Sequence, residues 1–269
     1  SITDREGVDA RLITNAAELL FGPFEGRDIR SKLLAKESIL LVQGLEQYFK
    51  SIHKLISSYF DFIPAWQLDD VMGSVNYNSA SCGAHFDQYD VFLVQGLGQR
   101  TWCVGERIDL TAPHQSPADT ASDLNLIDEF IVKQKFTVTS GDVLYVPPGY
   151  THWGISQSPS LCYSVGFRAP SNAEMIESFS NMVMDTLTES QRLTDHTTPA
   201  MRDSAEITAK DWQRAWEVVA ELLANKSAFL RAFGSLVTEA KSPELIEPLA
   251  DECNVDELLA FKGQAVELV

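Results

Sequence analysis

Cysteine is scarce and falls into no metal-binding pattern. The 269-residue chain holds four, Cys82, Cys103, Cys162 and Cys253. No two form a C-x-x-C pair, which removes the usual signature of a structural zinc site. Their scatter predicts free thiols in a reducing cytoplasm. Positive charge is also short: 21 Lys and Arg face 38 Asp and Glu, for a formal net charge of −17. A sequence-independent grip on nucleic acid needs a basic surface that displaces counterions, so direct nucleic-acid binding is not expected. The acidic excess suits solubility, and it would equally draw in a basic partner. No apolar run reaches the roughly 18 residues of a membrane span. Ser1 opens a polar stretch, Ser-Ile-Thr-Asp-Arg-Glu, with no secretory pattern, so a cytoplasmic location is expected.

What is present changes character along the chain. Leu41, Leu45, Tyr48, Ile52, Leu55 and Tyr59 recur at three- and four-residue steps, which predicts a helix over 31–60, closed by Pro64. From Asp69 to Pro170 short strand-like runs alternate with turn residues: Val71–Tyr77, Asp90–Gln95, Thr101–Val104, Lys135–Val138, Val143–Val146 and Leu161–Phe167. Many short strands with Gly and Pro punctuation predict a sandwich or barrel. The polar span 111–125 reads as a loop. After Pro170 the helical period returns, with Met175, Phe179, Met182 and Val183 on one stripe. Trp212, Trp216, Val219, Leu223, Leu230 and Phe233 lie on another over 210–236. Such residues are expected in the core, or at a dimer interface. Two regions follow, a barrel with N-terminal helices over 1–170 and a helical region over 171–269.

The chain has five histidines. His53 sits on the helical stretch, His114 in the polar loop and His196 in a Thr-rich turn, and none is assigned a role. The other two stand in Ala84-His85-Phe86-Asp87 and Tyr150-Thr151-His152-Trp153. In a strand, positions i and i+2 project to the same side, so His85 and Asp87 can aim into one pocket. With His152 they would make a facial set of two imidazoles and a carboxylate, which leaves coordination positions open on non-haem iron. H-x-D alone also fits a surface turn or a His–Asp hydrogen bond. Its context is more informative: Gly141 to His152 reads G-x5-P-x4-H, a tight turn, a buried strand, a proline stop and a histidine.

That second segment matches a conserved cupin motif. The run His85-Phe86-Asp87-Gln88-Tyr89-Asp90-Val91-Phe92-Leu93-Val94-Gln95-Gly96, then Gly98-Gln99-Arg100-Thr101-Trp102, resembles the JmjC-type ribosomal oxygenases. It is most similar to the bacterial branch, which hydroxylates an arginine of the large-subunit ribosomal protein uL-sixteen. Gly22-Pro23-Phe24-Glu25, Trp66-Gln67-Leu68-Asp69-Asp70 and Tyr163–Pro170 carry the same resemblance. It implies a mainly β fold, a double-stranded β-helix of cupin/JmjC jelly-roll type, with flanking helices and an α-helical C-terminal region. It also implies a 2-oxoglutarate-dependent dioxygenase acting with Fe(II) and dioxygen. In that case His85, Asp87 and His152 are the catalytic metal ligands. Arg100 would hold the distal carboxylate of 2-oxoglutarate, a task that suits its two-pronged guanidinium. Asp70, Tyr89 and Ser164 would contact the substrate arginine, although Asp70 also reads as a cap. Ser74 and Asn76 alternate on one strand and would either face the pocket or serve the structure, and Trp153 would shape the pocket wall.

The implied partners are a basic ribosomal protein and a second copy of the chain. Family members are longer at both ends, so part of an N-terminal region and a C-terminal module are expected to be missing here. The stretch Asn78–Gly83 lacks the proline and most of the glycine of its bacterial relatives. The competing readings are a histidine or asparagine hydroxylase of another protein, and a non-catalytic metal-binding cupin.

Overall fold

The computed structural model describes residues 2–14, 19–35, 38–77, 79–111, 125–156, 159–193 and 207–239. Asn78, residues 112–124 of the expected loop, His114, His196, Cys253 and all of 240–269 lie outside the described residues. Among those described, Cys82, Cys103 and Cys162 are free thiols, and no helix is long and apolar enough to cross a membrane.

The chain begins with β1 (Ala10–Thr14), β2 (Leu19–Phe21), α1 (Gly26–Ala35), β3 (Ser38–Val42), α2 (Leu45–Tyr48) and α3 (Lys50–Tyr59). The helix expected over 31–60 is therefore two helical stretches separated by a strand. Ser38-Ile39-Leu40-Leu41-Val42 is buried along its whole length between β1 and the strand that follows α3. The continuous apolar run Ile39–Val42, four residues long, carries no period, so helix and buried strand look alike in sequence. Gly44, at φ 65°, then turns the chain into α2.

The barrel strands are β4 (Leu68–Asn76), β5 (His85–Phe86), β6 (Asp90–Leu97), β7 (Gln99–Arg107), β8 (Asn125–Leu126), β9 (Gln134–Thr139), β10 (Val143–Val146), β11 (Tyr150–Ile155) and β12 (Ser160–Phe167). They form two antiparallel sheets, one ordered β10-β6-β12-β4-β3-β1-β2 and the other β8-β5-β11-β7-β9. This is the expected mainly β jelly-roll. The turn between β6 and β7 depends on Gly98. Its φ is 69°, and a Cβ there would lie 2.1 Å from the Pro159 carbonyl oxygen.

Alternation sorts the large sheet into two faces. Val71, Val165 and Phe167 turn outward and pack with Leu45, Ile56 and Phe60 from α2, α3 and the residue after α3. Phe60 meets Phe92 edge-on, ring centroids 5.1 Å apart, and Phe167 at 5.6 Å. Asp70, Met72, Ser74 and Ser164 turn inward, toward the smaller sheet, and line a cavity. Gly73 permits the outer packing, since a Cβ on it would lie 2.6 Å from Leu45 Cδ1.

Three helices follow the barrel: α4 (Asn172–Met184), α5 (Ala209–Leu223) and α6 (Lys226–Thr238). A capping box starts α4. Ser171 Oγ accepts from the Glu174 amide at 3.2 Å, and Glu174 Oε2 accepts from the Ser171 amide at 2.7 Å. Phe179 and Val183 of α4 bury against Ala228 and Ala232 of α6, and Trp66 meets Phe233 of α6 at 5.6 Å. The aromatic stripe expected over 210–236 is split by Asn225, which caps α6 by accepting from the Ala228 amide at 3.0 Å. On α5 the stripe is not part of the chain's own core. Trp212, Trp216, Val219 and Leu223 are exposed along one side of α5, with Trp216 at 62%. Amphipathic spacing identifies an apolar face and says nothing about what covers it.

Candidate metal centre

The short strand β5 is placed by its neighbours. His85 is the direct cross-strand partner of His152 on β11. Opposed residues in an antiparallel pair project to the same face, so the two imidazoles meet with ring centroids 4.3 Å apart. His152 lies inside β11, past the proline stop. Asp87, two residues past His85, returns to the same side. Its Oδ2 stands 3.5 Å from His152 Nε2. One ligand atom from each of His85, Asp87 and His152 lies within 4.8 Å of the others, close enough to share a cation with bonds of about 2.0–2.2 Å.

Both rings are oriented by the backbone. His85 Nδ1 donates to the Gly83 carbonyl at 3.0 Å, and His152 Nδ1 donates to the Tyr150 carbonyl at 3.0 Å. A proton on each Nδ1 leaves each Nε2 lone pair for a metal. Burial, followed by the neighbouring His85, pulls His152 down to about 3 and holds it neutral. Burial also pushes Asp87 up, against the opposing pull of His85. A divalent cation would reverse the cost at Asp87, because it stabilises the ionised carboxylate.

Arg100 enters the same cavity from β7 and is only 4% exposed. It is not the surface strand residue that its sequence position alone allows. Nη1 donates to Ser74 Oγ at 2.7 Å, and Nη2 donates to Asn76 Oδ1 at 3.1 Å and to the Ser74 carbonyl at 3.5 Å. Every one of these partners is neutral, and no carboxylate pairs with Arg100 among the described residues. Trp102 lies beneath it, 5.7 Å from ring centroid to guanidinium carbon. The Trp102 Nε1–H is buried without a hydrogen-bond partner. A buried cation without a counter-ion is costly, and an orphaned donor adds to that cost. An anionic, hydrogen-bond-accepting ligand in this roughly 200 Å³ cavity would relieve both. The donor set therefore fits a metal at one end and a carboxylate at the other.

Asp70, Tyr89 and Ser164 line the same cavity. Asp70 sits inside β4, opposite Gly166 of β12, and caps no helix. Tyr89 packs beside Gly166. Burial raises its phenol first, and the carboxylates of Asp87, Asp69 and Asp70 raise it further, so it remains a hydrogen-bond donor. Trp153 is not part of the cavity wall. It alternates away from His152, faces Phe130 at 6.1 Å and donates from Nε1 to Ser81 Oγ at 2.7 Å. The sequence reading gave no role to Trp102 or Cys82, yet both line the cavity. For Trp102 the signal was available, because it stands two residues from Arg100 on one strand.

Comparison with known proteins agrees with this geometry. A JmjC domain model matches residues 55–175. The Escherichia coli (strain K12) ribosomal protein uL16 3-hydroxylase is 30% identical over 265 residues, covering 97% of this chain and 69% of that protein. A probable ribosomal oxygenase of Haemophilus influenzae is 30% identical over 267 residues, covering 96% of this chain and 65% of its own length. Among solved structures, E. coli YcfD superposes with a TM-score of 0.80 at 29% identity, over 96% of this chain and 68% of that one. YcfD, described as a ribosomal oxygenase, in complex with cobalt and 2-oxoglutarate gives 0.76 at 28% identity, over 96% and 67%.

Proposed function

This chain belongs to the JmjC-domain family of ribosomal oxygenases, and from that premise we propose that it hydroxylates an arginine of a large-subunit ribosomal protein of the uL16 type. It is a 2-oxoglutarate-dependent dioxygenase that works with iron. The observation that carries the residue assignment is the single cavity shared by the His85–Asp87–His152 cluster and the uncompensated Arg100.

In this reading His85, Asp87 and His152 hold the metal on one side and leave its cavity side open. When bound there, iron would supply an oxidation by dioxygen and 2-oxoglutarate, with one oxygen atom entering a carbon–hydrogen bond and the other ending in succinate as carbon dioxide leaves. Arg100 and the Trp102 indole N–H receive the distal carboxylate and fix the cosubstrate's direction. Met72, Leu93 and Trp102 form an apolar wall that limits water. Asp70 meets the substrate guanidinium, while Tyr89 and Ser164 offer hydrogen bonds along the side chain.

The acidic surface steers a basic client toward the mouth, and such a client places the enzyme in the cytoplasm. The exposed stripe Trp212–Trp216–Val219–Leu223 on α5 pairs two copies into a homodimer. Sedimentation velocity tests that pairing: Trp216→Glu should shift the protein to monomer, and a wild-type monomer at tens of micromolar rejects it.

Mass spectrometry after incubation of the protein with Fe(II), 2-oxoglutarate and a uL16-type substrate tests the activity. One added oxygen on an arginine is expected. An added oxygen on histidine or asparagine instead replaces the arginine assignment. No modification, together with no succinate release, removes the activity altogether.

A further inference from the structure

Asn76 is the last residue of β4, and it is 1% exposed. Its amide makes contacts of opposite kind. Oδ1 accepts from Arg100 Nη2 at 3.1 Å, and Nδ2 donates to the Ala80 carbonyl at 3.0 Å. The orientation of the amide is forced, because a guanidinium can only donate and a carbonyl can only accept. From Ala80 the chain runs through a short strap, residues 80–84, directly into His85. The strap is tied at further points. Ser81 Oγ takes the Trp153 indole N–H at 2.7 Å and the Gly83 amide at 3.2 Å. The Gly83 carbonyl then holds His85 Nδ1 at 3.0 Å. A continuous path of hydrogen bonds and a few backbone links thus joins the cavity's cation to the ring of a metal ligand.

The residue type matters. A side chain here must accept from a cation, donate to a carbonyl and add no charge. Aspartate would accept but could not donate, and it would cancel the charge that an anionic ligand needs on Arg100. Alanine would leave a buried guanidinium hydrogen and the Ala80 carbonyl without partners.

We propose that Asn76 is a positioning residue that passes the docking of a carboxylate on Arg100 to the strap that sets His85. This rests on the reading of Arg100 as the seat of 2-oxoglutarate, and it adds a coupling between the two ends of that cosubstrate. When the carboxylate fixes the guanidinium, the Asn76 amide is fixed with it, and the Ala80 carbonyl and the strap lose freedom. Binding at Arg100 and order in the strap then favour each other reciprocally.

Hydrogen–deuterium exchange on the Co(II)-loaded full chain under anaerobic conditions provides the test, with 2-oxoglutarate affinity measured in parallel by calorimetry. In the wild type, saturating 2-oxoglutarate should slow exchange across peptides covering 80–84. Asn76→Ala should bind 2-oxoglutarate about tenfold more weakly, and at saturation its strap should exchange at the ligand-free rate. The isosteric Asn76→Asp guards against a folding defect in the alanine variant. It should lose at least a hundredfold in 2-oxoglutarate affinity and keep the wild-type melting temperature within a few degrees. Ser81→Ala removes the Trp153 tie and should loosen the strap with and without ligand, yet keep the ligand-dependent difference. Equal ligand-dependent protection in wild type and Asn76→Ala overturns the coupling and leaves the Arg100 assignment standing. A Co(II)-loaded wild type that does not bind 2-oxoglutarate removes the Arg100 assignment and the coupling together.

Discussion

Along β12, Val165 and Phe167 turn to one side of the large sheet while Ser164 and Gly166 turn to the other. The same division runs down β4, with Val71 outward and Asp70, Met72 and Ser74 inward. The outward face is sealed by α2 and α3, and each aliphatic or aromatic side chain buried there contributes about 1.5–3 kcal/mol. The inward face gives up much of that gain. It lines the cavity with Asp70, Ser74 and Ser164, and across that cavity the smaller sheet sets Arg100 among neutral partners beside two imidazoles, an arrangement that costs stability unless a ligand satisfies it. The outer face of the large sheet therefore supplies cohesion that the cavity between the two sheets gives away.

The largest effect that separates the cavity from the outer face is expected from His152→Ala. Co(II) binding and succinate release should fall to background, while the melting temperature of the metal-free protein stays within a few degrees of wild type. Unfolding of the metal-free variant would show that the inner face also carries stability. On the outer face, Phe167→Ala should cost about 3–5 kcal/mol in urea unfolding, with 2-oxoglutarate affinity of the folded fraction unchanged. A matching loss of affinity would erase the division between faces. Arg100→Met keeps length and removes charge. It should weaken 2-oxoglutarate binding on the order of a hundredfold, the worth of hydrogen bonds to a charged group, and leave stability equal or higher, because a buried unpaired charge has been removed. A clear loss of stability would make Arg100 a structural residue.

The smallest effect lies away from both faces, at the start of α4. The hydrogen bonds from Ser171 hold the Glu174 carboxyl below its ordinary value. A lowered folded-state value means that the contribution is complete above the ordinary carboxylate range and is lost as pH falls through the folded-state value. Glu174→Gln should therefore cost about 0.5–1 kcal/mol at neutral pH, the size of a capping contact. The difference from wild type should shrink in acid. Chemical unfolding at two pH values measures it, and a gap that widens in acid would reverse the assignment.

The two faces were not equally legible in the sequence. His85, Asp87 and His152 stood in short local patterns, and Arg100 was implied by the resemblance to the ribosomal oxygenases, so these residues could be named before any fold was known. Six of the strands were visible from alternation and turn residues. β3 was hidden because a fully buried strand has no polar beat. β5 was hidden because two residues cannot show a pattern, and only its pairing with β11 and β8 defines it. For the stripe on α5 the sequence left core and dimer interface open, because spacing reveals an apolar stripe and not its cover, and the exposure of Trp212 and Trp216 removes the first. For Asn76 the sequence left a pocket-facing and a structural role open; it reaches Arg100 without lining the cavity, and its second partner is a backbone carbonyl on a loop with no sequence signature.

The head-on pairing of His85 with His152 also sets how this centre tolerates change in chain length. The long span between Asp87 and His152 can gain or lose residues at its turns, provided β5 and β11 still meet. Within β5 there is no such latitude. One residue inserted between His85 and Asp87 would swing the carboxylate to the opposite side of the sheet and leave two imidazoles facing an incomplete set of donors. Loop grafting is therefore the tolerant route for redesigning the mouth of this barrel, and the dipeptide spacing at its floor is the measurement to preserve.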